Sequence, residues 1–118
     1  MANLKDLLRD LVRVEGIKAA VVVARDGFVI DGVVEGGTFD IEAVGAVVST
    51  GIGSSEIMGR ELKVGQMTQG LVEYEHGIIT VSRVGKDAIL AVVADLQANL
   101  GNVRYQVKKR TPELEAAL

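Results

Sequence analysis

The stretch that decides the fold is Ile17–Val34, which reads IKAAVVVARDGFVIDGVV. It contains two runs rich in β-branched residues, Ile17–Arg25 and Phe28–Val34, separated by Asp26-Gly27. β-Branched residues favour strands, and an Asp-Gly pair between apolar runs is a strong hairpin signal because type I′ turns require positive φ at both central residues. The sequence therefore predicts two antiparallel strands joined by a two-residue turn.

An amphipathic helix is predicted before this hairpin. Its apolar residues recur at offsets of three and four, with charged residues between them, which is the period of a helix that buries one face. Asn3 is placed to cap the helix, and Gly16 follows it where a left-handed residue commonly ends a helix. The buried face is expected to consist of Leu4, Leu7, Leu8, Leu11 and Val12.

A second, longer helix is predicted after the break at Gly36-Gly37-Thr38. Asp40 is a suitable N-cap, and Phe39 is expected to pack against Val44 as a hydrophobic staple. The helix is expected to end near Leu62. Its apolar residues at helical spacing are Ile41, Val44, Val48 and Ile52.

Three further strands are predicted in a meander: Val64–Tyr74, Ile78–Val84 and Ala88–Ala94, with short polar or glycine-containing turns between them. The first of these carries Gln66, Thr68, Gln69 and Glu73 and is less apolar than the others, as expected for an edge strand. A closing helix is predicted over Asn99–Lys109, and Pro112 is expected to begin a short final turn.

These elements predict an α/β (α+β) fold in the order α-β-β-α-β-β-β-α. Because a five-stranded antiparallel sheet has two faces to cover, the long helix is expected on one face and the two terminal helices on the other, giving a three-layer sandwich. No internal repeat or linker interrupts the chain, so residues 1–118 are expected to form one domain.

Composition excludes several classes of function. The chain has no cysteine, which rules out disulfides and thiolate metal sites, and its net charge of -3 disfavours a nucleic-acid-binding surface. The longest apolar runs fall far short of the roughly 20 residues that span a bilayer. The first residues do not resemble a signal peptide, so a cytoplasmic location without membrane insertion is expected.

The residues of common catalytic sites do not assemble into a convincing pattern. His76 is the single histidine and is predicted to lie in an exposed turn, too isolated to activate a serine or to complete a zinc site. Glu73 and Glu75 are expected to face solvent. Gly51–Glu56 lacks the last glycine of a dinucleotide fingerprint, and Gly85–Asp87 is not preceded by a Walker glycine. We therefore predict no catalytic, metal-binding or cofactor-binding residue.

A stripe of small residues on the second helix carries more information. Gly45, Ser49 and Gly53 are four residues apart, and each glycine inside a helix costs about 1 kcal/mol relative to alanine. A close neighbour is expected to offset that cost. Either a second copy of the same helix or a strand of the chain's own sheet fits this role. Alternatively, Gly51 and Gly53 mark a break in the helix.

Four segments, taken in order, resemble the roadblock/dynein light chain family. They are Leu7-Leu8-x-x-Leu11-Val12-x-Val14-x-Gly16-Ile17, then Ala20–Gly27, then Val84–Val92, and finally Asn99-Leu100-Gly101-x-Val103-Arg104. The resemblance spans nearly the whole chain. It implies a homodimer in which the second helices pack together and the third strands pair across a two-fold axis, which extends the sheet to ten strands.

The resemblance also implies a role as an adaptor or regulator, in prokaryotes commonly of a Ras-like small GTPase, without a catalytic residue of its own. The alternatives are a structural light chain of a larger complex and a sensory module for a small ligand. Arg60, Glu61 and Lys63, at the end of the second helix, are expected partner contacts. The expected dimer interface consists of Gly45, Ser49, Ile52, Gly53, Gln66, Thr68, Gly70 and Val72.

Overall fold

The computed structural model describes residues 3–35 and 40–118. It confirms the predicted element order and the five-stranded antiparallel sheet with three helices. The elements are α1 (Leu4–Val12), β1 (Ile17–Ala24), β2 (Val29–Val34), α2 (Ile41–Glu61), β3 (Gln69–Tyr74), β4 (Gly77–Val84), β5 (Ala88–Ala94) and α3 (Leu100–Ala116). The predicted break at Gly36-Gly37-Thr38 and the staple at Phe39 lie outside the described residues.

The sheet has the strand order β2-β1-β5-β4-β3, and every neighbouring pair is antiparallel. The most apolar strands, β1 and β5, are therefore central, where both of their faces are covered. The strand β3 lies at one edge, as its polar composition predicted, and its residues Gln69–Tyr74 pair with Ser82–Gly77 of β4 on one side only. Within residues 3–35 and 40–118, no strand pairs with its other side, where backbone donors and acceptors are left open.

The hairpin between β1 and β2 differs from the predicted two-residue turn. Gly27 has a φ of +93°, but Asp26 does not have a positive φ, so the turn is not of type I′. The amide of Gly27 donates to the carbonyl of Ala24, and the amide of Ala24 donates to the carbonyl of Phe28. Three residues thus form the loop, and the left-handed glycine closes it.

Two apolar clusters lie on opposite faces of the sheet. On one face, α1 and α3 bury Leu8, Leu11, Val103 and Val107 against β1, β4 and β5. On the other face, α2 buries Val48 and Ile52 against Ile89 and Ala91 of β5. The three layers match the predicted architecture. In the described part of the chain, no helix is both long and apolar enough to cross a membrane.

The last helix is longer than predicted, because it continues through Pro112 to Ala116. A proline inside a helix removes one hydrogen bond and costs roughly 3 kcal/mol. Leu114, two residues further, is fully buried against the core, and burying a leucine side chain contributes about 1.5–3 kcal/mol. The burial of Leu114 therefore offsets most of the free-energy cost of Pro112. For this reason the helix continues past the point where the sequence predicted its end.

Candidate interaction surface

At the N-terminal end of α2, the stripe of small residues faces the β1–β2 hairpin of the same chain. A Cβ atom on Gly45 would lie 2.5 Å from the carbonyl oxygen of Gly27 and 2.9 Å from Cγ2 of Val29. The close neighbour that this glycine requires is therefore the β1–β2 hairpin, the second of the two alternatives left open by the sequence. Gly45 and Ile52 are both buried within the chain and offer no surface to a second copy.

Ser49 also bonds within the chain. Its hydroxyl donates to the backbone carbonyl of Arg25 at 2.5 Å. The guanidinium of Arg25 donates in turn to the carboxylate of Glu56 and, at 2.8 Å, to the carbonyl of Lys86 in the β4–β5 turn. One arginine thus ties α2 to both hairpins at this end of the sheet, and Ser49 belongs to that network.

The two remaining helical glycines with open surroundings, Gly51 and Gly53, lie on opposite flanks of α2. A Cβ atom on either one would meet no atom within 4 Å. Successive helical residues are about 100° apart, so the two positions differ by roughly 200° around the axis. Gly53 follows Ser49 by four residues and therefore shares the hairpin side. Gly51 precedes Leu62 by eleven residues, about three turns, and shares the side that faces β3.

An exposed apolar surface follows the flank of Gly51. Met58 and Leu62 line a shallow groove of about 320 Å³ together with Met67 and Gly70. Gly70 and Val72 lie on the face of β3 that is directed toward α2, because side chains alternate along a strand and a Cβ on Gly70 would contact Val81 of the α2-side cluster. We call this the α2–β3 surface. Its exposed apolar side chains are Val47 (71% exposed), Met58 (60%), Leu62 (71%), Val64 (78%) and Val72 (52%).

The link between α2 and β3 is not extended, contrary to the prediction of a strand from Val64. Lys63 has a φ of +59° and Gly65 a φ of +90°, and these two left-handed residues turn the chain. Ladder bonding begins only where the amide of Arg83 donates to the carbonyl of Thr68. Gln66 and Thr68 therefore precede β3, and Gln66 accepts a hydrogen bond from the guanidinium of Arg83.

The charged residues at the end of α2 remain available to a partner. Arg60, Glu61 and Lys63 are all exposed, and none of the three forms an ion pair within residues 3–35 and 40–118. They stand beside Leu62 and Val64, at the rim of the α2–β3 surface. An apolar centre with a charged rim is the usual anatomy of a protein interface.

The residues considered for catalysis are scattered. The His76 side chain is 93% exposed in the β3–β4 turn, with Glu75 as its charged neighbour at 3.9 Å. Ser54 donates to the carbonyl of Thr50 on its own helix. Among the residues that the structure describes, no three His, Cys, Asp or Glu side chains are grouped so as to hold a metal ion.

Sequence reasoning missed Val47, Gly51, Met58 and Leu62 as surface residues. The signal was present, because these residues lie beside Val44 on the helix surface and widen the apolar stripe of Val44, Val48 and Ile52 on one side. Which flank faces the sheet edge depends on how the helix lies across the strands. The periodicity of the helix alone does not contain that information.

Comparison with known proteins identifies the family of this chain. Residues 3–94 match the Roadblock/LC7 domain family. The chain belongs to this family. Relatives include two uncharacterised proteins of Methanocaldococcus jannaschii, MJ0310, with 36% identity over 93% of this chain and 95% of the relative, and MJ0714, with 34% identity over 93% and 92%.

Solved structures with the same fold include MglB of Myxococcus xanthus, at a TM-score of 0.89 and 18% identity over 96% of this chain and 92% of that one. The gliding protein MglB of Thermus thermophilus aligns at 0.86 and 20% identity, over 95% and 85%. A Roadblock/LC7 domain of Streptomyces avermitilis aligns at 0.87 and 23% identity, over 98% and 97%. The fold of this family therefore extends over the whole described chain, including α3, which lies beyond the matched residues.

Proposed function

We propose that the protein is a homodimeric, non-enzymatic regulatory adaptor that acts in the cytoplasm on a Ras-like small GTPase. The observation that carries the proposal is the α2–β3 surface, a continuous exposed apolar flank beside an unpaired sheet edge, on a Roadblock/LC7 fold. Exposed apolar patches of this kind mark sites of association.

A second copy of the chain fits this surface for two reasons. The free edge of β3 can pair with the same edge of another chain, which would satisfy its open backbone groups and extend the sheet to ten strands. A two-fold axis beside that edge also brings the two α2 helices together along the flank of Val47, Gly51, Met58 and Leu62, as an isologous interface requires. Gly70 and Val72 contribute from β3. Gly51 takes the place that the sequence analysis gave to Gly53.

The GTPase partner is inferred from the family. Members of the roadblock family are commonly associated with Ras-like small GTPases, and the charged residues Arg60, Glu61 and Lys63 stand next to the proposed two-fold axis. Dimerisation would double this charged rim and create one extended platform from two chains. We therefore place the GTPase contact on the dimer rather than on one subunit.

The test combines oligomeric state with binding. Sedimentation of the purified protein is expected to show a dimer, and the Ras-like GTPases of the source organism, loaded with GDP or a non-hydrolysable GTP analogue, are then titrated against it by calorimetry. Saturable binding of one GTPase by the dimer, weakened when Arg60 and Lys63 are both replaced by Glu, supports the proposal.

Two results would contradict it. A monomer at all concentrations would remove the platform. A dimer that binds no GTPase in either nucleotide state, but co-purifies with subunits of a larger assembly, would favour a structural light chain instead.

A further inference from the structure

A second concave surface lies on the opposite face of the sheet from α2. It is a groove of about 550 Å³ between α3 and the edge of the sheet. Its sheet side is formed by Thr68, Gln69, Leu71 and Ser82, and its helix side by Leu100, Arg104, Val107, Lys108, Thr111 and Pro112. Gln69 and Leu71 point away from the α2–β3 surface, because side chains alternate along β3. We call this the α3–β3 groove, and its volume is within the roughly 300–1,000 Å³ of typical ligand sites.

The charge of the groove is opposite to that of the protein. The whole chain carries a net charge of -3, yet among the described residues the groove is bordered by the side chains of Arg104 and Lys108 and by no Asp or Glu. Arg104 and Lys108 are exposed and make no ion pair or side-chain hydrogen bond to any described residue. Both cations are thus free to bind an anionic partner group.

The walls between the cations are partly apolar and partly polar. Leu71 and Leu100, both half-buried, supply apolar surface. Ser82, only 4% exposed, receives a long hydrogen bond of 3.4 Å from the amide of Gln69. An occupant with an apolar group flanked by polar backbone and negative charges would match each of these features.

We propose that the α3–β3 groove binds an acidic, extended peptide segment of a partner protein, with two carboxylates separated by one apolar residue. Arg104 and Lys108 are four residues apart on α3, a rise of about 6 Å. In an extended peptide, side chains at positions i and i+2 lie on one side and about 6.6–6.8 Å apart, while the residue between them points to the other side. The two carboxylates thus reach the two cations on α3, and the middle residue, directed to the other side, contacts Leu71 of β3.

This spacing favours a peptide over a single phosphate. One phosphate group would contact one cation, or both only by drawing them together, and would leave the apolar wall unused. The groove also lies on the face of the sheet away from α2 and uses the side chains of β3 on that face, whereas the proposed dimer pairs the backbone edge of β3.

The first experiment uses a fluorescein-labelled peptide, Ser-Asp-Leu-Asp-Ser-Gly, and measures fluorescence anisotropy at about 50 mM salt, where screening is weak. Replacing both Asp by Asn in the peptide is expected to abolish saturable binding. The double substitution Arg104→Ala with Lys108→Ala is expected to weaken binding about four- to 25-fold, since each exposed ion pair contributes about two- to fivefold in affinity.

Lys109→Ala is the matched control. Lys109 is exposed on the same helix and has the same charge, but it does not border the groove and lies over the ring of Tyr105 at 5.9 Å. Its replacement is expected to change the affinity by less than about twofold. An equal loss in this variant would show general electrostatic attraction to α3 and would overturn the proposal.

A second experiment tests the groove itself. Because the chain has no cysteine, a single introduced thiol can be labelled selectively. A bulky maleimide on Thr68→Cys is expected to block the peptide, whereas the same label on Gln97→Cys, an exposed position outside the groove, is expected to leave binding intact. Unchanged peptide binding by the labelled Thr68→Cys protein, equal binding of the Asn peptide, or no saturable binding by the unsubstituted protein would each refute the proposed site.

Discussion

Replacing Gly51 by leucine should have opposite effects on the stability of one subunit and on the stability of the proposed dimer. Within the chain, the new side chain meets open space, since no atom lies within 4 Å of the Cβ position. Leucine is also a better helix former than glycine by about 0.8–1 kcal/mol. Gly51→Leu should therefore slightly stabilise the isolated subunit.

The effect on the proposed dimer has the opposite sign. Gly51 lies on the flank of α2 that faces the second helix across the two-fold axis, and overpacking a tight contact costs about 1–3 kcal/mol per site. Symmetry places two such sites in each dimer, for a total of about 2–6 kcal/mol. At 1.4 kcal/mol per factor of ten, the dissociation constant should rise by about 30-fold to 20,000-fold.

Gly53→Leu is the matched control. It makes the same chemical change two residues away, also in open surroundings, but on the hairpin side of α2. Sedimentation over a concentration series measures the dissociation constant of the dimer. Thermal unfolding followed by circular dichroism measures the stability of the subunit. We expect a folded, dissociated Gly51→Leu variant and a dimeric Gly53→Leu variant. If both remain dimeric with unchanged affinity, the helices do not meet on this flank, and if only Gly53→Leu dissociates, the interface is on the hairpin side.

Three further substitutions test the fold. Gly16→Ala places a Cβ 2.5 Å from the Cβ of Ala98, at a position where φ is +89°. We therefore expect the free energy of unfolding in urea to fall by about 3 kcal/mol or more. A decrease below about 1 kcal/mol would contradict the close contact. Thr80→Val removes a fully buried hydroxyl that has no hydrogen-bond partner in the described structure and should raise the free energy of unfolding by about 1 kcal/mol; a decrease would mean that the hydroxyl is bonded. Pro112→Ala should restore an amide donor to the carbonyl of Lys108 and increase stability by about 1–3 kcal/mol in thermal unfolding, whereas a lower melting temperature would contradict a continuous α3.

The local sequence predicted most of the fold because the signals agree with one another. The helical spacing of Leu7, Leu8 and Leu11 and the β-branched runs of β1 and β5 are independent of tertiary context, and the structure follows them closely. Errors occurred where a distant contact decides the outcome. The burial of Leu114 carries α3 through Pro112, and the left-handed backbone at Lys63 and Gly65 delays the start of β3.

The interface was less predictable for a related reason. A glycine in a helix indicates a close neighbour but does not say which one, and for Gly45 that neighbour is Gly27 of the same chain. The flank marked by Gly51 could be assigned only after the position of α2 relative to β3 was known. The α3–β3 groove was invisible for the same reason, since Arg104 and Gln69 are far apart in the sequence.

The unequal size of the two apolar clusters has a consequence for the dynamics of the subunit. Among the described residues, α2 is held by a cluster of four buried side chains, whereas α1 and α3 share a cluster of fourteen. Regions with few buried apolar contacts open locally at a lower free energy than the rest of the molecule. The amides of α2 should therefore exchange with deuterium faster than those of β1 and β5 in a dissociated subunit, and they should become protected on assembly. Hydrogen exchange along α2 would then report association directly, without any label.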